Sequence, residues 1–275
     1  MDKSPFSVRF WGVRGSIACP GPRTARYGGN TSSLEVRCGD ELLLFDAGTG
    51  MRYLGKTLEG TRLDADLYFT HTHFDHVCGL PFFRPLFDPQ NRFRIWAGHL
   101  RGAMTLKRVL AEFMMSPLFP VPPEVFRSTL EYRDFKAGDT LTTMKRARVR
   151  TAPLNHPDGA TGYRVEYGGR SICYVSDTEH VPGSLDRNIL GLIADAELVI
   201  YDCMYTDDEY RRYVGWGHST WQEGIRLCKE ARAKRMVVFH HDPDHDDDIL
   251  DGIGREVQRA LPGSVVAYEG LVLEP

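Results

Sequence analysis

Apolar and polar positions alternate in short runs over most of the chain, with few long helical stripes. Residues 8–11 and 34–37 alternate with period two, and residues 42–45 and 67–69 are continuously apolar. Such runs predict strands, half-buried where they alternate and covered on both faces where they do not. Residues 93–96 read as a further strand. A loop rich in Gly, Pro and Arg spans residues 12–30 between the first two strands. The spacing predicts a helix over 101–113, whose stripe of Met104, Leu106, Leu110 and Phe113 reads as a core-packing face. Residues 116–124 carry Pro117, Pro120, Pro122 and Pro123. Proline removes backbone donors and restricts its predecessor, so this is a rigid loop, a lid over a site or a covered connection.

Alternation returns at 147–151, 163–167 and 172–175, and residues 198–201 and 236–239 are apolar throughout. Helices are predicted over 220–233, capped by Ser219, and over 246–260, opened by Asp246, Asp247 and Asp248. No repeat, low-complexity tract or linker interrupts the pattern. It predicts one domain over residues 1–275, with two packed sheets and helices outside.

Composition changes this picture little. The 275 residues are 42% hydrophobic and 26% charged, with a formal net charge of −3. Without an overall basic field, no long nucleic acid is expected as a partner. A small anionic substrate fits if a bound metal supplies positive charge. The six cysteines are scattered with no Cys-x-x-Cys pair, which points away from a thiolate zinc site and from a disulfide framework. The first residues lack the regions of a signal peptide, and no apolar stretch approaches membrane-spanning length. A cytoplasmic protein with no membrane partner is expected, with a homodimer as the default assembly.

Candidate chemistry concentrates in Thr70-His71-Thr72-His73-Phe74-Asp75-His76. His71 and His73 point to one side of an extended segment. Asp75 and His76, adjacent after a bend, reach a displaced point. One short segment thus offers donors to two neighbouring positions, which suggests a dinuclear metal centre. Three strands of the second half run out into further donors: His156, Asp177 and the pair His240-His241. Donors at strand ends are held by the sheet while loops shape the pocket.

Together these motifs resemble the metallo-β-lactamase superfamily of metallohydrolases, in the expected order across almost the whole chain. The resemblance implies an α+β fold, an αββα sandwich of two mixed sheets, with two divalent ions at one edge. His71, His73 and His156 would hold one ion; Asp75, His76 and His240 the other; Asp177 would bridge them. Zinc is the first expectation, and manganese or iron also suit imidazole and carboxylate donors. Two such ions would lower the pKa of a shared water and supply hydroxide at neutral pH. His240 and His241 compete for the last position. His240-His241-Asp242-Pro243 resembles the His-x-x-Pro of the ribonuclease-like branch and favours His240.

Gly217-His218-Ser219-Thr220 and the preceding Tyr201-Asp202-Cys203 resemble the phosphodiesterase branch, transfer-RNA 3′ ribonucleases and relatives. There the histidine assists the leaving group and an acidic residue orients it, which gives His218 and Asp202 those roles beside Asp75. Between His156 and Asp177 lie only 20 residues, mostly hairpin in character, where those ribonucleases carry a long RNA-gripping arm. That spacing is closer to the phosphoribosyl cyclic phosphodiesterase relatives, whose cysteine-rich zinc site is absent. The expectation is a phosphodiesterase acting on a small or cyclic anionic phosphodiester. An ester, thioester or lactam hydrolase with the same centre is one alternative, and a non-catalytic metal or ligand sensor another.

Weaker features are Asp46-Ala47-Gly48, either a buttress of the metal loop or an ordinary turn, and Gly28-Gly29-Asn30-Thr31-Ser32, a phosphate approach or a plain turn. Arg14, Arg23 and Arg26 read as solvated or as a basic rim. His99, His180 and His245 read as bystanders, and Met114, Met115 and Phe119 as lid-lining residues.

Overall fold

The period-two runs become strands whose inward side chains meet across two sheets. The computed structural model describes residues 5–100, 102, 104–142 and 146–275. Residues 1–4 of the segment read for a signal peptide, and Arg101 and Ala103 of the first predicted helix, lie outside these. The strands are β1 (Phe6–Gly12), β2 (Ser33–Cys38), β3 (Glu41–Phe45), β4 (Asp64–Phe69), β5 (Arg92–Ala97), β6 (Thr129–Asp134), β7 (Thr140–Thr142), β8 (Arg148–Leu154), β9 (Ala160–Tyr167), β10 (Arg170–Val175), β11 (Leu198–Asp202), β12 (Met236–Phe239), β13 (Val265–Val266) and β14 (Val272–Leu273). The helices are α1 (Met51–Thr57), α2 (Phe74–Val77), α3 (Leu106–Phe113), α4 (Arg187–Ile193), α5 (Asp207–Tyr210), α6 (Trp221–Glu230) and α7 (Asp247–Ala260).

Each sheet has seven strands, in the orders β14-β1-β2-β3-β4-β5-β6 and β13-β12-β11-β10-β9-β8-β7. The first is antiparallel from β14 to β3 and parallel from β3 to β6. The second is parallel from β13 to β10 and antiparallel from β10 to β7. Two mixed sheets flanked by helices are the αββα sandwich expected above.

Alternation sorts the apolar residues into three layers. Phe10, Phe45, Tyr68, Tyr163, Tyr174 and Phe239 fill the space between the sheets. Leu44, Leu67 and Ile95 pack outward under α1 and α3, and Val175, Val199 and Val238 under α4, α6 and α7. The buried tyrosines direct their hydroxyls to partners, as burial requires: Tyr163 donates to the Phe69 carbonyl at 2.6 Å and Tyr174 to Asp46 at 2.7 Å. Both bonds join the second sheet to the strand ends of the first.

The predicted helix starts differ in detail. α3 begins at Leu106, where the Thr105 side chain caps it by accepting from Arg108 N. α6 is capped by Thr220, not by Ser219. The Ser219 hydroxyl instead meets His180 Nδ1 at 2.9 Å and Tyr201 Oη at 3.0 Å. A serine one residue early on an extended segment points to the wrong side to reach the helix amides.

A buried ion pair lies between the sheets. Asp66 on β4 accepts from Arg94 Nε at 2.7 Å, Arg94 Nη2 at 3.0 Å and Trp96 Nε1 at 2.8 Å. Asp66→Ala removes two of three bonds of a buried guanidinium, leaving it only Asp64, and strands an indole N–H, so it should lower unfolding stability by about 3 kcal/mol. Asp66→Asn, which keeps one acceptor, should cost less. Urea unfolding measures both, and a loss below about 1 kcal/mol for the alanine variant would refute this account.

Candidate metal centre

Three strand ends carry the site because the chain leaves the sheet there in an unusual conformation. Asp46 after β3, Asp177 after β10 and His240 after β12 have φ of 55°, 63° and 61°. Non-glycine residues rarely adopt this left-handed region, and each costs of order 1–3 kcal/mol unless its surroundings hold it. Here each turn throws a side chain over the edge of the sandwich towards residues 70–76, which follow β4.

The donor atoms converge. His71, His73 and His156 place one donor each within 4.8 Å of one another, and so do Asp75, His76 and His240. Asp177 lies between the two groups. Its carboxylate is within 3.9 Å of the imidazoles of His71, His76, His156, His218 and His240. Burial opposes charge on Asp177, but His240, His76 and His71 together hold its pKa well below the usual carboxylate range.

Whether these residues suit a cation can be read from their nitrogens. His156 Nδ1 donates to the Gly217 carbonyl at 2.8 Å, which turns its Nε2 to His73 Nδ1 at 3.0 Å. His76 Nε2 faces His240 Nε2 at 3.3 Å. His71 Nε2 is buried with no hydrogen-bond partner among the described residues. Burial disfavours charge on His76, yet Asp75, Asp177 and Asp46 raise its pKa well above the ordinary value, so the pocket demands positive charge there. Lone pairs aimed at one another around buried carboxylates are what a divalent ion would relieve. The donor set fits.

A second layer orients these donors. Asp46, fully buried, accepts from His76 Nδ1 at 2.9 Å, from Thr70 N at 2.8 Å and from the Thr70 hydroxyl at 2.9 Å. The turn read as a weak feature is therefore in direct contact with the cluster. Ser16 N donates to Asp75 Oδ2 at 2.9 Å, so the long loop after β1 also reaches the site.

His218 and Asp202 stand at the side of the cluster. His218 Nδ1 donates to Asp202 Oδ2 at 3.0 Å, and Asp202 also accepts from Thr178 N and Met204 N, both at 3.2 Å. Burial lowers the pKa of His218, but the Asp202 carboxylate outweighs it and holds the imidazole at about 9. With Asp202 occupied by three donors and His218 Nδ1 engaged, the pair is better placed to manage a proton than to bind an ion, although both lie within metal-binding distance of their neighbours.

The two competing histidines separate cleanly. His240 turns into the cluster, 3.3 Å from Asp75. His241 turns away, its Nε2 donating to the Ala267 carbonyl at 2.8 Å. Several minor readings change. Arg14 is neither solvated nor a rim residue: fully buried, it donates to the carbonyls of Gly28, Asp242 and His245. Arg23 and Arg26 pair with Asp246, Asp248 and Asp251 on and beside α7. Asn30 and Thr31 form a bonded turn with Glu269 and Thr49. His99 is not a simple bystander. It bonds the Thr72 hydroxyl at 3.1 Å and, with Leu100, Met104 and Val109, walls a cavity of ≈ 670 Å³ floored by His71, His73 and His156. No short-range motif marks it, because its place comes from the end of β5.

Comparison with known proteins agrees with the fold. Residues 42–241 match the family model described as the β-lactamase superfamily domain. Ribonuclease Z of Myxococcus xanthus is 28% identical over 298 residues, covering 89% of this chain and 92% of the relative. The metallo-β-lactamase fold protein YhfI from Bacillus subtilis superposes with a TM-score of 0.74 at 20% identity, covering 99% of this chain and 100% of that one. Human tRNase Z, short form, superposes with a TM-score of 0.68 at 23% identity, covering 98% of each chain.

One expectation is overturned by these relatives. A chain expected to avoid long nucleic acid aligns over nearly its full length with an enzyme named for acting on RNA. Net charge is an average over the molecule, whereas phosphate contacts depend on local groups. The described residues contain no helix long and apolar enough to cross a membrane, and all six cysteines are free thiols.

Two substitutions test this geometry through metal content. Asp46→Ala should weaken metal affinity about 10- to 100-fold, as loss of an orienting partner does; chelator competition reads this, and native affinity would refute it. His240→Ala should lose bound metal by elemental analysis while His241→Gln keeps it, and the reverse pattern would exchange their assignments.

Proposed function

The chain belongs to the β-lactamase superfamily domain family, and we propose that it is a metal-dependent phosphodiester hydrolase working through a dinuclear centre with His218 as proton donor. His71, His73 and His156 would hold one divalent ion, Asp75, His76 and His240 the other, and Asp177 both. Zinc suits this set, as do manganese and iron. When bound, the ions supply Lewis acidity and an activated water at neutral pH.

The observation that carries the reading is the His218–Asp202 pair beside the cluster. A phosphodiester's leaving alkoxide is a poor leaving group and needs a proton. Asp202 accepts from Nδ1, which fixes the ring and leaves Nε2 as the proton-bearing edge. Asp177 lies 3.8 Å from Nδ1 of the same imidazole, which sets the His218 ring beside the cluster. Acyl transfer makes no comparable demand on a histidine at this place, which counts against the ester, thioester and lactam reading. The substrate class is a phosphodiester, and an RNA strand and a small phosphodiester share that chemistry.

The choice of leaving group makes the test specific. On an RNA oligonucleotide, His218→Ala should lower kcat about 10²- to 10⁴-fold with metal content intact. On bis-p-nitrophenyl phosphate, whose nitrophenolate leaves without a proton, the loss should be far smaller. Equal losses on both substrates would remove His218 as proton donor, and turnover of a thioester alone would favour acyl chemistry. Chelation should abolish activity, and a divalent ion should restore it.

A further inference from the structure

The approach to His218 is Gly215-Trp216-Gly217, and this turn is fixed. Gly215 and Gly217 have φ of 91° and 85°, which glycine alone adopts without strain. Both amides donate to one carboxylate, Glu179, each at 2.7 Å. Trp216 N donates to the Tyr213 carbonyl at 3.1 Å. A Cβ on Gly217 would collide with the ring of His156, so the turn is locked against the cluster itself.

On this fixed turn the indole faces solvent. Trp216 is 63% exposed, whereas Trp11, Trp96 and Trp221 are at most 9% exposed. Its edge rests on Tyr213 at 5.5 Å between ring centroids, and Tyr213 stacks on Tyr205 at 4.5 Å and 8°. Tyr205 in turn meets His218 edge-on at 6.2 Å. A line of rings thus runs from solvent to the His218 imidazole. Arg211 and Arg212, exposed shortly before this turn, make no ion pair among the described residues.

We propose that Trp216 is a specificity-determining residue that stacks on the heteroaromatic base of the leaving nucleoside. The proposal rests on the phosphodiesterase reading above. In an in-line displacement the leaving oxygen lies beside its proton donor, so the nucleoside attached to it falls on the His218 side of the cluster. A flat apolar face held rigid and open there suits a base, because every base offers a π-face whatever its sequence. The two free guanidinium groups would meet the next phosphates of a strand.

The four tryptophans all emit, so the part of the indole fluorescence of the metal-loaded chain that is lost in Trp216→Leu reports on Trp216. Adenosine 5′-monophosphate should quench the emission, ribose 5-phosphate should not, and the quenching should vanish in Trp216→Leu. For an adenosine dinucleotide, Trp216→Leu should raise KM about tenfold with kcat within about twofold, and Trp216→Phe should recover most of the loss. Absence of quenching in the native chain, or a native KM in Trp216→Leu, would overturn the proposal. If the native chain cleaves no dinucleotide, the hydrolase reading fails, while the quenching measurement still decides the stacking.

Discussion

The buried carboxylate of Asp46 is the point on which the site's geometry depends. It accepts from the backbone and hydroxyl of Thr70, from His76 Nδ1 and from the Tyr174 hydroxyl. Those partners come from the end of β4, from α2 and from the opposite sheet. A single side chain therefore sets the register between the two sheets at the edge where the donors meet. A buried carboxylate without these four bonds would be expensive, so the arrangement is all or none.

Around that point the site is assembled from strain and electrostatic crowding that neither sheet could hold alone. Asp46, Asp177 and His240 each sit in left-handed backbone at a strand end. Asp177 lies among five imidazoles. Neither feature favours folding by itself. Both are held in place by the packed layer of Phe45, Tyr68, Tyr163, Tyr174 and Phe239 beneath them. Core packing thus supports a configuration that the local chain would avoid.

How much of this was legible in the sequence follows from the range of each interaction. The donors in residues 70–76 and at the ends of β8, β10 and β12 could be read, because strand periodicity and motif spacing are local. The choice of His240 over His241 also followed from side-chain alternation with motif likeness. Asp46 stood only as one of two readings, since its partners are up to 128 positions away. Arg14 looked like a surface residue because its acceptors are carbonyls, which composition does not reveal. The helix cap was placed one residue early, at Ser219, where backbone direction rather than residue type decides. Nucleic acid was discounted on average charge, a quantity blind to where the guanidinium groups sit, and on the short stretch between His156 and Asp177.

The edge strand pairing has a consequence for biosynthesis. Val8 and Arg9 of β1 pair with Leu273 and Val272 of β14, and Nη1 of the buried Arg14 donates to carbonyls more than 200 positions away. The first sheet therefore cannot gain its β14 edge, nor the loop after β1 settle against residues 242–245, until those distant residues have been made. Such non-local closure slows folding and prolongs exposure of unpaired edges. Loss of β14 would thus unpair Val8 and Arg9 of β1, so a change at one edge of the chain would be felt at the other.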